Sequence, residues 1–163
     1  MNFELIYASK EHINVIGNLM QFYIYDFSEY INYDVEEDGL YKAYPDLEEY
    51  WKEEGYKFPY IIRKGEKYAG FVLVSKNKAD KDYFSIAEFF IMKKYRREGI
   101  GKAAARQLFT LHKGDWQVHQ RENNIPAREF WRKVINEYTD GQFSERLENG
   151  RRIQTFRTKY TMD

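Results

Sequence analysis

The sequence predicts an α/β fold in which a mixed, mostly antiparallel central sheet is flanked by helices on both faces. Three observations support this class. A strand-like segment leads directly into a helical one, three strand-like runs then follow in succession, and the remainder alternates helix, strand, helix and two strands. With 163 residues, of which 43% are hydrophobic and 18% aromatic, the chain can bury a substantial core. We therefore expect one ordered domain over residues 1–163.

The first third of the chain predicts one strand and one long helix. Alternation over residues 3–7 predicts the strand. Ser9 is a candidate N-cap for a helix whose apolar spacing continues to about Ser28. Residues 30–45 are predicted to be irregular, and a short helix over residues 46–51 is expected after them.

Three strand-like runs come next, at residues 60–63, 68–75 and 83–92. A turn at residues 64–67 is expected to join the first two runs as a hairpin. The third run is almost continuously apolar, which is typical of a central strand buried on both faces. Glu88 lies inside this third run, where a charged side chain requires an explanation.

The second half of the chain predicts two helices separated by a strand at residues 116–119. The first helix begins near Gly99, and the second begins at residues 124–126, where a proline is tolerated in the first turn. Their apolar stripes are Ile100, Ala104, Leu108 and Leu111 in the first helix, and Phe130, Val134, Ile135 and Tyr138 in the second. Two final strands, at residues 142–147 and 152–160, are joined by an Asn-Gly turn.

Composition excludes several classes of site. The chain has no cysteine, which excludes disulfides, thiolate nucleophiles and iron–sulfur clusters, and its three histidines lack the spacing of metal ligands. Basic and acidic residues both number 26, so no net charge attracts nucleic acid or a membrane. We expect a soluble, cytoplasmic protein without a metal site. Exposed edge strands near the C-terminus are compatible with a homodimer.

Charge is nevertheless unevenly distributed along the chain. Residues 26–55 contain eleven acidic and two basic side chains, whereas residues 92–163 contain sixteen basic and nine acidic ones. This asymmetry predicts a cationic ligand near the acidic segment and an anionic ligand near the basic half. The alternative interpretation is that each charge run is only a solvated surface. Because acids separate the bases of the second half, a nucleic-acid binder is disfavoured.

The segment between Phe89 and Ala104 is the most informative about function. A buried strand leads into a basic turn and then into a glycine-containing helix start, whose backbone N–H groups are suited to bind phosphate. A Walker A loop would require Gly at position 96 and Ser or Thr at position 103, where the chain has Arg96 and Ala103. A Rossmann fingerprint matches only loosely, because seven residues separate the strand from Gly99.

A third phosphate-binding pattern, (Q or R)-x-x-G-x-(G or A) after a strand, is matched in full by Arg96, Gly99 and Gly101. The next helix carries a second pattern, N-x-x-A-x-x-apolar-aromatic, at Asn124, Ala127, Phe130 and Trp131. In both patterns, and in the order of its elements, the sequence resembles the GNAT superfamily of acetyl-CoA-dependent N-acetyltransferases. Within it, the sequence is similar to a bacterial subgroup of unassigned substrate.

The resemblance implies direct transfer of an acetyl group from acetyl-CoA to the primary amine of a cationic small molecule or peptide. It implies that the backbone of Phe89, Phe90 and Ile91 contacts pantetheine, and that the Ile91 amide stabilises the oxyanion. Asn124 is implied to bind the pantetheine arm, unless it serves only as an N-cap. The loop residues implied to bind the diphosphate are Arg96, Arg97, Glu98, Gly99, Ile100, Gly101 and Lys102.

Glu88 is the implied general base, because an amine must lose a proton before it attacks and a partly desolvated carboxylate has a raised pKa. The alternative is that Glu88 pairs with an arginine or lysine on a neighbouring strand. Asp26 and Glu29, at the end of the first helix, are candidates to anchor a cationic acceptor. The tyrosines that are candidates to line the same cleft are Tyr23, Tyr25 and Tyr33.

Trp131, which the resemblance places among the cofactor-binding residues, departs from the family pattern. Many members have at this position a tyrosine that protonates the departing thiolate, and an indole N–H does not supply a proton. Three explanations stay open: the thiolate leaves unaided, Tyr138 or His119 substitutes, or the chain binds acyl-CoA without turnover. The last explanation gives the alternative function, a catalytically silent acyl-CoA-binding or regulatory module.

Overall fold

A computed structural model describes residues 2–158 of the chain. Over these residues the strands form a sheet of seven, and the helices are three, together with short 3-10 turns. The strands are β1 (Glu4–Tyr7), β2 (Lys57–Lys64), β3 (Lys67–Asn77), β4 (Tyr83–Ile91), β5 (Asp115–Arg121), β6 (Ser144–Glu148) and β7 (Arg151–Arg157). The helices are α1 (Ile13–Phe27), α2 (Ile100–Leu111) and α3 (Ile125–Thr139).

The sheet has the strand order β1-β2-β3-β4-β5-β7-β6 and is mixed and mostly antiparallel, which confirms the predicted fold class. The chain divides into two compact units. One comprises the chain up to Val74 together with Ala87–Glu98, and the other comprises Ser75–Ile86 together with the chain from Gly99 onward. A single-domain organisation stays a prediction.

In the first unit, α1 packs its apolar face onto the first strands. Ile16 and Met20 of α1 are fully buried in one cluster with Ile61 of β2 and Phe71 of β3. Their spacing of four residues places the two α1 side chains on one face of the helix, as the sequence predicts. Burial of these side chains stabilises the fold by about 1.5–3 kcal/mol each.

The acidic segment between α1 and β2 is irregular except for a 3-10 turn at Leu47–Trp51, in agreement with the prediction of a short helix there. It is nevertheless firmly attached. The side-chain amide of Gln21 exchanges two hydrogen bonds with the backbone of Tyr41, at 2.8 and 3.0 Å. The Trp51 indole donates to the Ala8 carbonyl at 3.0 Å.

The backbones of β3 and β4 approach closely at Gly70. A Cβ atom at this position would lie 2.0 Å from the Phe90 carbonyl oxygen. A residue other than glycine would therefore require the backbone to shift. Just beyond, the Met92 N–H donates to the Ala69 carbonyl at 2.8 Å. The end of β4 is therefore held tightly against β3.

The second unit has an aromatic core in which Phe109 of α2 contacts Trp116 of β5 and Phe156 of β7, with ring centroids 4.9 and 5.0 Å apart. β5 pairs in parallel with β4, Phe84 lying opposite Trp116, and in antiparallel fashion with β7. The predicted Asn-Gly turn connects β6 to β7.

The structure differs from the sequence prediction in details of burial and in strand limits. Leu111 is 55% exposed, because α2 ends at this residue, and the buried side chains of that turn are Leu108 and Phe109. In α3, Trp131 is buried and Phe130 only partly so. The predicted last strand extends to residue 160, but its positions 159 and 160 lie outside the described residues.

Within residues 2–158, no helix combines the length and the apolar character that a membrane crossing requires.

Candidate active site

Glu88 lies half-buried on β4, and three tyrosines lie near its carboxylate. The hydroxyls of Tyr23 and Tyr44 donate hydrogen bonds to it, and the hydroxyl of Tyr50 is hydrogen-bonded to that of Tyr44. These phenols replace water around a charged group in an otherwise apolar strand. They explain how the strand accommodates Glu88.

The three tyrosines are protonated at neutral pH. Burial, followed by the negative charge of Glu88, raises the pKa of Tyr23, of Tyr44 and of Tyr50 far above the ordinary phenol value. Each phenol therefore keeps its single O–H proton, and two of these protons are directed at Glu88.

Tyr23 also contacts the backbone of the strand that carries Glu88. The Phe89 N–H donates to the Tyr23 hydroxyl oxygen. The Tyr23 ring packs between three other rings, with centroids 5.3 Å from Phe27, 5.8 Å from Phe90 and 5.9 Å from Phe71. The hydroxyl is thus held at the junction of the Glu88 side chain and the Phe89 amide.

The end of β4 presents its backbone groups in a defined way. Since the Met92 N–H donates to β3 and successive N–H groups of a strand point to opposite edges, the Ile91 N–H points away from β3. The Ile91 carbonyl accepts a hydrogen bond from Arg96 Nε at 2.7 Å. Of the groups predicted to contact pantetheine, the Phe89 N–H and the Ile91 carbonyl therefore already have protein partners.

Asp26 has partners that the sequence did not indicate. Its carboxylate forms ion pairs with the Arg96 guanidinium and with Lys93 Nζ, the latter at 3.5 Å. Lys93 and Arg96 thus compensate the negative charge of Asp26, the residue that the sequence predicts to bind the cationic acceptor. The neighbouring candidates differ, because Tyr25 is 67% exposed and Glu29 is also exposed.

The predicted diphosphate loop contains two residues in the left-handed region, Arg97 with φ +64° and Gly99 with φ +81°. The first N–H donor within α2 is that of Ala103, which donates to the Gly99 carbonyl at 3.1 Å. The amides of Ile100, Gly101 and Lys102 therefore precede the intrahelical ladder, at the positive end of the helix dipole.

The charged side chains of this loop differ in their partners. Glu98 pairs with Lys64, and Lys102 pairs with Glu137, where its hydrogen bond lowers the pKa of the Glu137 carboxyl. Arg97 is exposed. In the described part of the chain, no group of three or more potential metal ligands comes together, so no candidate metal centre was found there.

Two further predicted cofactor residues lie in the second unit. Asn124 is buried, and its Oδ1 accepts the Ala127 N–H at 3.2 Å, which is the N-cap interaction weighed as the alternative. Trp131 is buried in α3, with its ring centroid 5.0 Å from that of Phe130 and 6.4 Å from that of Phe109.

Tyr138 and His119, the two candidates to replace the tyrosine that protonates the thiolate, also lie in this unit. The Tyr138 hydroxyl lies 3.3 Å from Thr110 Oγ1, and its ring contacts the Arg106 guanidinium. His119 Nδ1 lies 3.1 Å from an Arg151 nitrogen. Partial desolvation and then the Arg151 charge lower the pKa of His119, so its imidazole is neutral at physiological pH.

Sequence reasoning missed Tyr44 and Tyr50. Tyr44 lies in the irregular part of the acidic segment and Tyr50 in its 3-10 turn, and no periodicity there distinguishes a buried tyrosine from an exposed one. The only available signal was the frequency of tyrosines among the acidic residues of this segment.

Comparison with known proteins identifies one family. The sequence model described as "Acetyltransferase (GNAT) family" matches residues 21–135. No curated protein matches the sequence.

Solved structures share the fold at low sequence identity. An acetyltransferase from Thermus thermophilus has 12% identity and a TM-score of 0.65, covering 96% of this chain and 97% of its own. A spermidine N-acetyltransferase from Vibrio cholerae, solved with CoA and spermine, has 13% identity, a TM-score of 0.62 and 96% coverage of both chains. The ribosomal-protein-S18-alanine N-acetyltransferase from Escherichia coli has 10% identity and a TM-score of 0.64, covering 99% of this chain and 97% of its own. At these identities the likeness concerns the fold.

Proposed function

The chain belongs to the acetyltransferase (GNAT) family, and we propose that it transfers an acetyl group directly from acetyl-CoA to the primary amine of a cationic acceptor. The observation that carries this proposal is the half-buried Glu88 carboxylate on β4, held by the hydroxyls of Tyr23 and Tyr44. A fixed carboxylate three residues before Ile91 is suited to take the proton of an attacking amine.

The proposed reaction begins when Glu88 accepts a proton from the acceptor ammonium group. The free amine nitrogen then attacks the thioester carbonyl carbon, and the Ile91 N–H, which points away from β3, stabilises the oxyanion. The nitrogen of the resulting intermediate still carries one proton too many, which passes to water, and Glu88 returns its own proton to solvent. The C–S bond breaks, so the products are the neutral amide and CoA as a thiolate. Since thiols titrate near pH 8.5, this thiolate leaves without an acid, which is compatible with tryptophan at position 131.

We place the CoA diphosphate at the loop after β4. Support comes from the backbone amides of Ile100, Gly101 and Lys102, which precede the first intrahelical hydrogen bond of α2. The exposed Arg97 adds a positive charge beside them in sequence. The remaining residues proposed to contact the cofactor are Phe89, Phe90, Arg96, Glu98, Gly99, Asn124 and Trp131.

The proposed acceptor carries its amine in a cationic molecule. Glu29 and Tyr25 are exposed at the end of α1, next to Asp26, and the segment over residues 26–55 is strongly acidic. The structural relatives named above include enzymes described as acting on spermidine and on a ribosomal protein alanine, which suggests polyamines and basic peptides as the first acceptors to test.

Two measurements test the proposal. Acetyl-CoA should raise the unfolding temperature, and thiol release should be observed with spermidine, a lysine-rich peptide or a peptide that begins with alanine. Glu88→Gln should lower kcat by about 100-fold or more while acetyl-CoA still binds. The exposed Glu66→Gln is the matched control and should retain the rate.

The outcomes separate two functions. If acetyl-CoA stabilises the protein but no thiol is released from it in the presence of any of these amines, the silent acyl-CoA-binding module would be favoured. The supporting observation for that module is the tryptophan at position 131. Absence of stabilisation at millimolar acetyl-CoA would contradict both.

A further inference from the structure

The structure assigns a role to the segment between α1 and β2: Tyr44 and Tyr50 are positioning residues, which orient the Glu88 carboxylate so that it can accept a proton. This inference rests on the proposed role of Glu88 as the base. It extends the candidate site to a segment in which the sequence shows no motif.

The two tyrosines are held in place by their surroundings. Tyr50 is buried in the hydrophobic cluster of the first unit, and Tyr44 packs against the same cluster. Between them and on either side, the chain is fixed by buried Leu47, by the Gln21–Tyr41 hydrogen bonds and by the Trp51 indole. The Tyr44 hydroxyl therefore has little freedom to leave Glu88, and the Tyr50 hydroxyl has little freedom to leave that of Tyr44.

The hydroxyls form a directed chain of hydrogen bonds. The Tyr44 hydroxyl is hydrogen-bonded to Glu88 and to the Tyr50 hydroxyl. An ionised carboxylate has no proton to donate, so when the single O–H proton of Tyr44 is directed at Glu88, the bond between the two phenols uses the proton of Tyr50. Hydrogen bonds in series polarise one another, so Tyr50 strengthens the bond that Tyr44 makes. The effect of Tyr50 on Glu88 is thus indirect.

The groups that face Glu88 include phenols contributed by two segments. Tyr23 comes from α1, whereas Tyr44 and Tyr50 come from the segment before β2. Further out, Tyr50 adjoins the charges of Glu49 and Glu53, and its ring lies 5.2 Å from Lys57 Nζ. Because hydroxyl donors stabilise a carboxylate over a carboxylic acid, loss of a donor favours protonation of Glu88.

The orientation of the carboxylate depends on the same bonds. An ionised carboxylate has about four acceptor positions, and the two phenol donors fix the plane of the group while leaving acceptor capacity for an amine. Without Tyr44 the carboxylate would be protonated at a higher pH and would have more freedom to rotate.

The test is a titration of the Glu88 carboxyl carbon by 13C NMR in the full-length protein, with the resonance assigned by its loss in Glu88→Gln. Tyr44→Phe should raise the titration midpoint by about one pH unit, because a hydrogen bond to a charged group is lost. Tyr50→Phe should raise it by a smaller amount. Both substitutions retain the ring, and unfolding midpoints would verify that each variant is folded.

Tyr68→Phe is the matched control, because Tyr68 is partly exposed on β3 and its ring contacts with His12 and Arg63 would be retained. It should leave the midpoint unchanged. A Tyr44→Phe variant that titrates like the wild type would overturn the inference. Should Tyr44→Phe fail to fold, an unshifted midpoint in Tyr50→Phe would overturn it equally.

Kinetics supply a second readout with any acceptor that releases thiol. The acid limb of the pH profile of kcat/KM should move to higher pH in Tyr44→Phe, with the KM for acetyl-CoA unchanged. Because the NMR titration requires no turnover, it tests the tyrosines even if no acceptor reacts. Absence of thiol release would contradict the proposed function, whereas an unshifted titration would contradict only the role of the tyrosines.

Discussion

Arg96 and Asp26 form an ion pair that joins the turn after β4 to the last turn of α1. The same Arg96 side chain donates through Nε to the Ile91 carbonyl. One guanidinium therefore connects the end of the strand, the start of the proposed diphosphate loop and a helix. This arrangement gives the first residue of the loop pattern a structural role in addition to its charge.

The Asp26–Arg96 pair should contribute measurably to stability. A double-mutant cycle with Asp26→Asn and Arg96→Gln should give a coupling energy of about 1 kcal/mol, because the bond is charge-assisted and the carboxylate is only 23% exposed. Urea unfolding of the four proteins would measure it.

The matched control is the Arg146–Glu148 pair, whose side chains are 46% and 55% exposed. Its coupling energy should lie below about 0.5 kcal/mol, as is typical of surface pairs. If both cycles gave the same coupling, the structural role assigned to Asp26 would be wrong.

Two glycines of the first unit should respond to alanine in opposite directions. Gly70→Ala should destabilise the protein by about 3 kcal/mol or more, because its Cβ would overlap the Phe90 carbonyl oxygen. Gly17→Ala in α1 should stabilise by about 0.5–1 kcal/mol, because its nearest neighbour, Leu47 Cδ2, lies at an ordinary 3.8 Å and alanine favours the helix.

Chemical denaturation would measure both glycine variants. A Gly70→Ala protein as stable as the wild type would show that β3 and β4 are not held as closely as described.

His112 should make stability depend on pH in the weakly acidic range. It lies beside the rings of Phe84 and Trp116, and burial lowers its pKa to about 4 from a value of 6.5. Between these values the unfolded chain binds the proton and the folded chain does not. Stability is therefore fully present above pH 6.5 and decreases as the pH falls towards 4, with a limiting slope of about 1.4 kcal/mol per pH unit.

The measurement is the free energy of unfolding between pH 6.5 and 5. His112→Gln should flatten its slope, and His119→Gln should also flatten it, since burial lowers the pKa of both imidazoles. An identical slope in the wild type and His112→Gln would argue against this assignment.

Much of the fold could be predicted because its elements have strong local signals. The spacing of Ile16 and Met20 determines the inner face of α1, and the Asn-Gly pair predicts the turn before β7. Burial at helix ends was less predictable, as Leu111 shows, because it depends on where the helix stops and on which neighbouring ring fills the core.

The candidate site was only partly predictable for a different reason. The loop pattern and Glu88 are local features of one stretch of chain, whereas Tyr44, Tyr50 and the Arg96–Asp26 pair depend on contacts between residues far apart in sequence. A charged residue inside an apolar strand indicated that partners must exist, but it did not indicate which tyrosines would supply them.

The most direct test of the central claim is calorimetric titration of acetyl-CoA into the wild type and into a variant with Gly99→Val and Gly101→Val. Gly39→Val is the control, because Gly39 has the same φ of +81° as Gly99 but lies outside the loop. We predict that the loop variant loses at least about tenfold in affinity, or 1.4 kcal/mol, whereas the control binds like the wild type. A folded loop variant with undiminished affinity, or a wild type that does not bind acetyl-CoA, would contradict the assignment of this loop as the diphosphate site.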